Sequence, residues 1–146
     1  MFTYTRKAYY HETDKMGIIH HSNYIKWMEE ARLEFMDALG WGYKKAEDMG
    51  MGSPVTSLSI DYKHPCDFLD EIEIRIWVEK YAAIAVEFKY EFFNKTKNQV
   101  CTTATSKHCF VKDGKIVIVK KDMPALDAII RKYMEENPVL PLTRSL

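Results

Sequence analysis

The chain has 146 residues, enough for one domain over 1–146 with a sizeable core. Lys+Arg and Asp+Glu both number 21, so the net charge is zero, which argues against a general nucleic-acid binder and favours self-association. Nineteen aromatic residues and eight Met supply more large apolar surface than a small monomer must bury. Cys66, Cys101 and Cys109 are odd in number and form no C-x-x-C pair, the pattern of reduced thiols in a cytoplasmic protein. No 18-residue apolar run is present, so no membrane span is expected. The N-terminus lacks the apolar core of a signal peptide.

Residues 2–10 are aromatic and β-prone and predict a first strand. The stretch 11–21 has no clean period and predicts a loop. Ser22 or Asn23 then stands as the cap of a helix running to about Leu39. Tyr24, Met28, Ala31, Phe35 and Leu39 recur at helical spacing, Trp27 and Ala38 widen the stripe, and Gly40 is a good left-handed stop. A short second helix is expected near 43–49.

After Gly52-Ser53-Pro54 the period changes to two. Leu58, Ile60 and Tyr62 alternate with polar residues, and Pro65 ends that strand. Ile72, Ile74, Ile76 and Val78 form a second apolar face, and Ile84, Val86, Phe88, Tyr90 and Phe92 a third. Asn94 to Asn98 predicts a turn, 99–111 another long strand and Asp113-Gly114 the next turn. Even spacing puts Cys101 and Cys109 on one face of that strand. Leu126, Ile129, Ile130, Tyr133 and Met134 predict a final amphipathic helix, with Asp122 as its cap and Pro124 in its first turn. The tail from Asn137 is expected to fray. Long, consecutive amphipathic strands fit an antiparallel sheet with one buried face, and one long helix can lie along it. The class is α+β.

The candidate chemistry lies in His11 to Tyr24. Asp14 sits on the loop, Gly17 permits a sharp bend, and the free N–H groups of a helix start follow eight residues after Asp14. A carboxylate can attack a carbonyl or activate water, and a helix N-terminus can stabilise the resulting oxyanion. Taken alone, Asp14 also fits a loop Asp that closes the turn at Gly17. His11, His20 and His21 make a poor metal set, since adjacent His residues rarely face one ion and no Cys or Glu sits at ligand spacing. Ser22 is simplest as a cap, because no G-x-S-x-G surrounds it. Glu29, Glu30 and Arg32 read as surface charges, with an active-site wall or dimer contact open to one of them.

Asp14-x-x-Gly17-Ile18-Ile19-x-His21-x-x-Tyr24, followed by Trp27-Met28-Glu29-Glu30-Ala31-Arg32, resembles the 4-hydroxybenzoyl-CoA thioesterase family, and within it the bacterial acyl-CoA thioesterase branch associated with the Tol-Pal system. Asp61-Tyr62-x-x-Pro65 and Leu69-Asp70-Glu71-Ile72 extend the likeness, which covers roughly residues 3–135. The resemblance implies a hotdog fold, a five-stranded antiparallel sheet wrapped around a long central helix. It implies dimers or tetramers with thioester hydrolysis at a site between protomers. It assigns the catalytic carboxylate to Asp14, the oxyanion-holding backbone N–H to Tyr24 and the branch's motif His to His21. His20 stands where the family usually carries an aromatic residue.

No metal or bound cofactor is expected, since a thiolate is a good leaving group. The substrate expected is an acyl-CoA or acyl-carrier-protein thioester. Lys107, Lys112, Lys115, Lys120 and Lys121 cluster late in the chain, where CoA phosphates need partners, but a solvated edge is the favoured reading for each. Two alternatives compete. A hotdog enoyl-CoA hydratase carries His five positions after its Asp; here His20 and His21 follow Asp14 by six and seven. A non-hydrolysing acyl-CoA-binding protein could spare the carboxylate, which this chain retains.

Overall fold

The strongest period-two stretches become the middle of the sheet. In the computed structural model, which describes residues 1–138, β4 (Glu71–Ala82) buries Ile72, Ile74, Ile76 and Val78. β5 (Ala85–Asn94) buries Val86, Phe88, Tyr90 and Phe92, and β6 (Gln99–Cys109) buries Thr102, Ala104, Ser106 and His108. With β1 (Phe2–Lys7) and, after the two-residue β2 (Met51–Gly52), β3 (Val55–Tyr62), they form a five-stranded antiparallel sheet of order β1-β4-β5-β6-β3. Alternation sends one set of side chains inward and the other to solvent.

Helix α1 (Ser22–Ala38) lies on the inward face and buries Tyr24, Trp27, Met28, Ala31 and Phe35 against it. Its 17 residues span about 26 Å. Gly40, at φ +85°, takes the left-handed position that ends it, as its spacing predicts. The short α2 (Tyr43–Asp48) follows. Among the described residues strand β3 pairs on one side only, and it is exposed along most of its length. Leu58, Ile60 and Tyr62 pair with Ser106, Ala104 and Thr102, so they point to the inward face, where α1 covers them only in part.

Several expected boundaries move. The first strand stops at Lys7, where a 3-10 turn, Tyr10–Glu12, takes over soon after. The strand expected over 99–111 ends at Cys109. Val111–Lys112 becomes β7 of a separate three-stranded sheet with β2 and β8 (Lys115–Ile116), pieces too short to carry a period. Cys101 and Cys109 do not share a face: Phe92 pairs with Thr102 and Phe93 with Val100, so Cys101 is the extra residue of a bulge that resets the alternation.

Asp122 does not cap the last helix. It closes a one-turn α3 (Val119–Asp122), where its carboxylate accepts the Ile118 N–H at 2.9 Å. The final helix α4 (Pro124–Glu136) begins after Met123 and buries Leu126 and Ile130. Most of the tail expected to fray, 139–146, lies outside the described residues. No helix among the described residues is long and apolar enough to cross a membrane.

Candidate active site

The loop from Ala8 to His21 is held at both ends by Glu12. Its Oε1 accepts from Arg6 Nη2 at 2.8 Å and from the Tyr9 N–H at 2.9 Å, and its Oε2 accepts from Trp27 Nε1 at 2.7 Å. Its carbonyl accepts from the His20 N–H and from Asn23 Nδ2, each at 2.8 Å. Glu12 and Asn23 are both buried. Arg6 also donates to Glu30, which accepts the Tyr4 hydroxyl at 2.7 Å; burial and Glu30 push that phenol up to about 12. Glu30 is therefore tied to the scaffold, not free as a wall of the site.

Between these anchors the chain turns tightly. The Asp14 N–H donates to the Ile18 carbonyl at 2.8 Å, and the Gly17 N–H donates back to the Asp14 carbonyl at 3.1 Å. Gly17 has φ +79°, a conformation that side chains resist and glycine adopts freely. The turn also orients the Asp14 carboxylate. Oδ1 accepts the Met16 N–H at 2.8 Å, while Oδ2 has no protein partner among the described residues. One oxygen is anchored and the other is unbonded among the described residues.

The helix start differs from the expected cap. His21 precedes α1 with helical dihedrals, φ −56° and ψ −29°, so the chain enters already turned and neither Ser22 nor Asn23 reaches a capping geometry. Instead the Ser22 N–H donates to His20 Nδ1 at 3.2 Å, and Ser22 Oγ lies 2.8 Å from the same nitrogen. Nδ1 must then be bare, and the Ser22 hydroxyl donates to it. The Asn23 N–H donates to the His20 carbonyl at 3.0 Å, whereas the Tyr24 N–H reaches the His21 carbonyl only at 3.4 Å. Of these three amides, that of Tyr24 is the most loosely held.

Asp14, His21 and Tyr24 line one cavity of about 330 Å³, with Ile18, Tyr62, Lys63 and His64 among its walls. The Tyr24 ring is packed against Trp27, Tyr62 and Phe92 at centroid distances of 5.0, 5.2 and 5.7 Å. Burial, with the Cys66 thiol beside it, pushes its phenol well above the ordinary range, so the hydroxyl stays protonated. The His21 ring is exposed and stacks on His20 at 4.2 Å. Tyr62 donates its hydroxyl to the His21 carbonyl at 2.9 Å. His11 stacks on Tyr9 instead of facing His20 and His21. Of the lysines, Lys63 lines the cavity and the late cluster does not.

The roles of Glu12, Asn23, Tyr62 and Lys63 are missed by sequence reasoning. Only Tyr62 carries a signal, as part of the Asp61-Tyr62-x-x-Pro65 segment.

The sheet, the central helix and the loop that feeds it define a hotdog thioesterase. The family model of the thioesterase-like superfamily matches residues 10–131, and the chain belongs to that superfamily. A DHNA-CoA thioesterase from Staphylococcus aureus superposes with a TM-score of 0.85 at 32% identity, covering 94% of this chain and 95% of that one. A hypothetical protein from Aquifex aeolicus superposes with a TM-score of 0.83 at 34% identity, covering 89% and 99%. An acyl-CoA thioesterase of Haemophilus influenzae is 25% identical over 116 residues, which is 79% of this chain and 84% of that protein.

Proposed function

We infer that the chain is an acyl-CoA thioester hydrolase in which Asp14 does the chemistry. The observation that carries this is the pairing of a half-anchored carboxylate with a loosely held helix-start N–H in one cavity. In one route Asp14 Oδ2 attacks the thioester carbon, the C–S bond breaks, CoA thiolate leaves, and water hydrolyses the mixed anhydride. In the other, Asp14 takes a proton from the water that attacks. In both, the charge that develops on the carbonyl oxygen is met by the Tyr24 N–H and the positive end of α1. His21 borders the same cavity and serves to orient substrate or water. Neither route calls for a metal or a bound cofactor.

The finer assignment is to the 4-hydroxybenzoyl-CoA thioesterase family and its Tol-Pal-associated acyl-CoA branch, with a cytoplasmic location. The Asp14-to-Tyr24 motif supports the branch. Acyl-carrier-protein thioesters are a further substrate form to test.

The working unit is at least a homodimer. Strand β3 leaves one edge unpaired, and Val55, Leu58 and Tyr62 on it are exposed together with Ile25 and Leu33 of α1. An open edge with exposed apolar residues is a pairing surface, and a second β3 would close it.

The test is a panel of saturated acyl-CoAs read by thiol release, run with and without chelator, beside sedimentation at assay concentration. Thiol release that survives chelation, from a species heavier than the 17.1 kDa monomer, is the expected result. No release from any acyl-CoA overturns the assignment, and a fully active monomer overturns the dimer.

A further inference from the structure

A second cavity, of about 240 Å³, lies farther along α1, and its walls include Leu33, Met36, Trp41 and Phe88. Glu29 and Arg32 are its charged lining residues. Arg32 Nη1 donates to the Tyr90 hydroxyl at 3.1 Å, which lies 2.6 Å from Ser106 Oγ. Ser106 meets His108 Nε2 at 2.8 Å, and His108 Nδ1 meets the Ser53 carbonyl at 3.1 Å.

A guanidinium can only donate and a carbonyl can only accept, so with a neutral His108 ring the Ser53 carbonyl sets the proton on Nδ1 and the other directions follow. Nδ1 of His108 carries one; Nε2 is bare and accepts from Ser106, which accepts from Tyr90, which accepts from Arg32. Burial, aided by the Arg32 charge, lowers the His108 pKa to about 4, in keeping with a neutral ring. Among the described residues Arg32 is thus the one cation lining the cavity, and it is oriented by a buried chain of partners.

The chain occupies one part of the guanidinium. Arg32 Nε and Nη2 have no acceptor among the described residues, and no carboxylate there lies within ion-pair reach. Those two N–H groups share one edge of the fork, the edge that binds both oxygens of a carboxylate. Glu29 is exposed, so water screens its charge more than that of half-buried Arg32.

Helix α1 contributes a wall to both this cavity and the one that holds Asp14. Along α1, Tyr24 lines the first cavity and Arg32 the second, eight residues on, about 12 Å. Along β3, Tyr62 lines the first, and Leu58, four residues back and about 13 Å away, pairs with Ser106. Leu58 lines neither cavity, so the helix sets the separation, and Ile25, which follows Tyr24 on it, is apolar and exposed.

We propose that the second cavity takes the far end of the acyl group and that Arg32 selects acyl chains ending in a carboxylate. This rests on the thioesterase reading and names its substrate class. A methyl-ended chain of the same length leaves the guanidinium edge unpaired.

The test uses the full-length protein and pairs of acyl-CoAs matched in length, one ending in a carboxylate and one in a methyl, with kcat/KM read by thiol release. At the best length, wild type is expected to favour the carboxylate-ended member by roughly ten- to a hundredfold, the range of hydrogen bonds to charged groups. Arg32→Met is expected to remove that preference by slowing the carboxylate-ended substrate alone. Arg32→Lys keeps part of it, because the charge stays while the fork is lost. Its partial preference keeps the test decisive if the Met variant folds poorly. Wild type that hydrolyses methyl-ended chains with no preference at any length overturns the proposal and leaves the thioesterase reading standing. So does an Arg32→Met protein that loses both activities by one factor. If neither member of any pair is hydrolysed, both readings fall.

Discussion

Around Asp14 the polar groups are left partly open, whereas around His108 they are consumed. Asp14 has one oxygen bonded and one free, and the Tyr24 N–H makes only a 3.4 Å contact. His108 has both ring nitrogens engaged, and its neighbours Ser106 and Tyr90 pass one directed chain between them. The contrast is what a reacting centre and its supporting wall require. Groups that must meet a substrate cannot be satisfied in its absence, while groups that shape a cavity are rigid only when they are. Two residues from Asp14, Glu12 shows the second kind within the loop itself: every oxygen it owns is bonded, so that Asp14 need not be.

The largest expected effect lies on the open side. Asp14→Asn keeps an acceptor for the Met16 N–H but can neither attack nor take a proton. It is expected to lower kcat by about 10²–10⁴ with an unchanged melting curve. Near wild-type turnover in this variant would erase the distinction between the two regions.

Glu12→Ala strikes the scaffold beneath it. Arg6 and Glu12 are both under 10% exposed, so the change leaves a buried cation with Glu30 as its remaining carboxylate and leaves the Tyr9 N–H and Trp27 Nε1–H unpaired, a loss expected at about 2–4 kcal/mol by urea denaturation. A loss below about 1 kcal/mol would mean that the loop is held by other contacts.

The closed side predicts a pH dependence. The folded-state pKa of His108 is about 4 against an ordinary 6.5. As pH falls below 6.5 the unfolded chain takes up a proton that the folded one refuses. Stability should therefore decline from pH 6.5 to about 4, by roughly 3 kcal/mol in total, and level off below. His108→Gln should flatten that slope in denaturation curves taken across the range. An equal slope in the variant would place the proton uptake elsewhere.

Tyr62→Phe is the mildest probe. It removes one hydrogen bond, to the His21 carbonyl, at a cost of about 1 kcal/mol. It should change kcat by a few-fold at most, measured against the same acyl-CoA. A loss as large as that of Asp14→Asn would make the tyrosine hydroxyl part of the chemistry.

The same contrast decides what was legible in the sequence. Asp14, Gly17, His21 and Tyr24 fall within one short stretch, and local turn chemistry and a helix start are enough to bring them together. The long helix and the central strands follow from unbroken periods of 3.6 and 2. Glu12 is different: it looks like any loop carboxylate until Arg6 and Trp27 arrive from a strand and a helix. Asn23 reads as a cap, yet its side chain turns back to the Glu12 carbonyl. Arg32, Tyr90, Ser106 and His108 come from one helix and two strands, and only Ser106 and His108, two apart on one strand, are related by spacing. His108 passes for an ordinary polar strand position because nothing local marks its burial or its bond to the distant Ser53 carbonyl. Cys101 and Asp122 mislead for a smaller reason: a single bulge resets a face, and a one-turn helix claims a capping residue.

Thioester hydrolysis is tested most directly by comparing a saturated acyl-CoA with its trans-2-enoyl counterpart. Hydrolysis at Asp14 needs only the thioester carbon, so free CoA is expected from the saturated substrate, which has no double bond to hydrate. If the enoyl substrate alone reacts, and yields a 3-hydroxyacyl-CoA with its thioester intact, the account is contradicted.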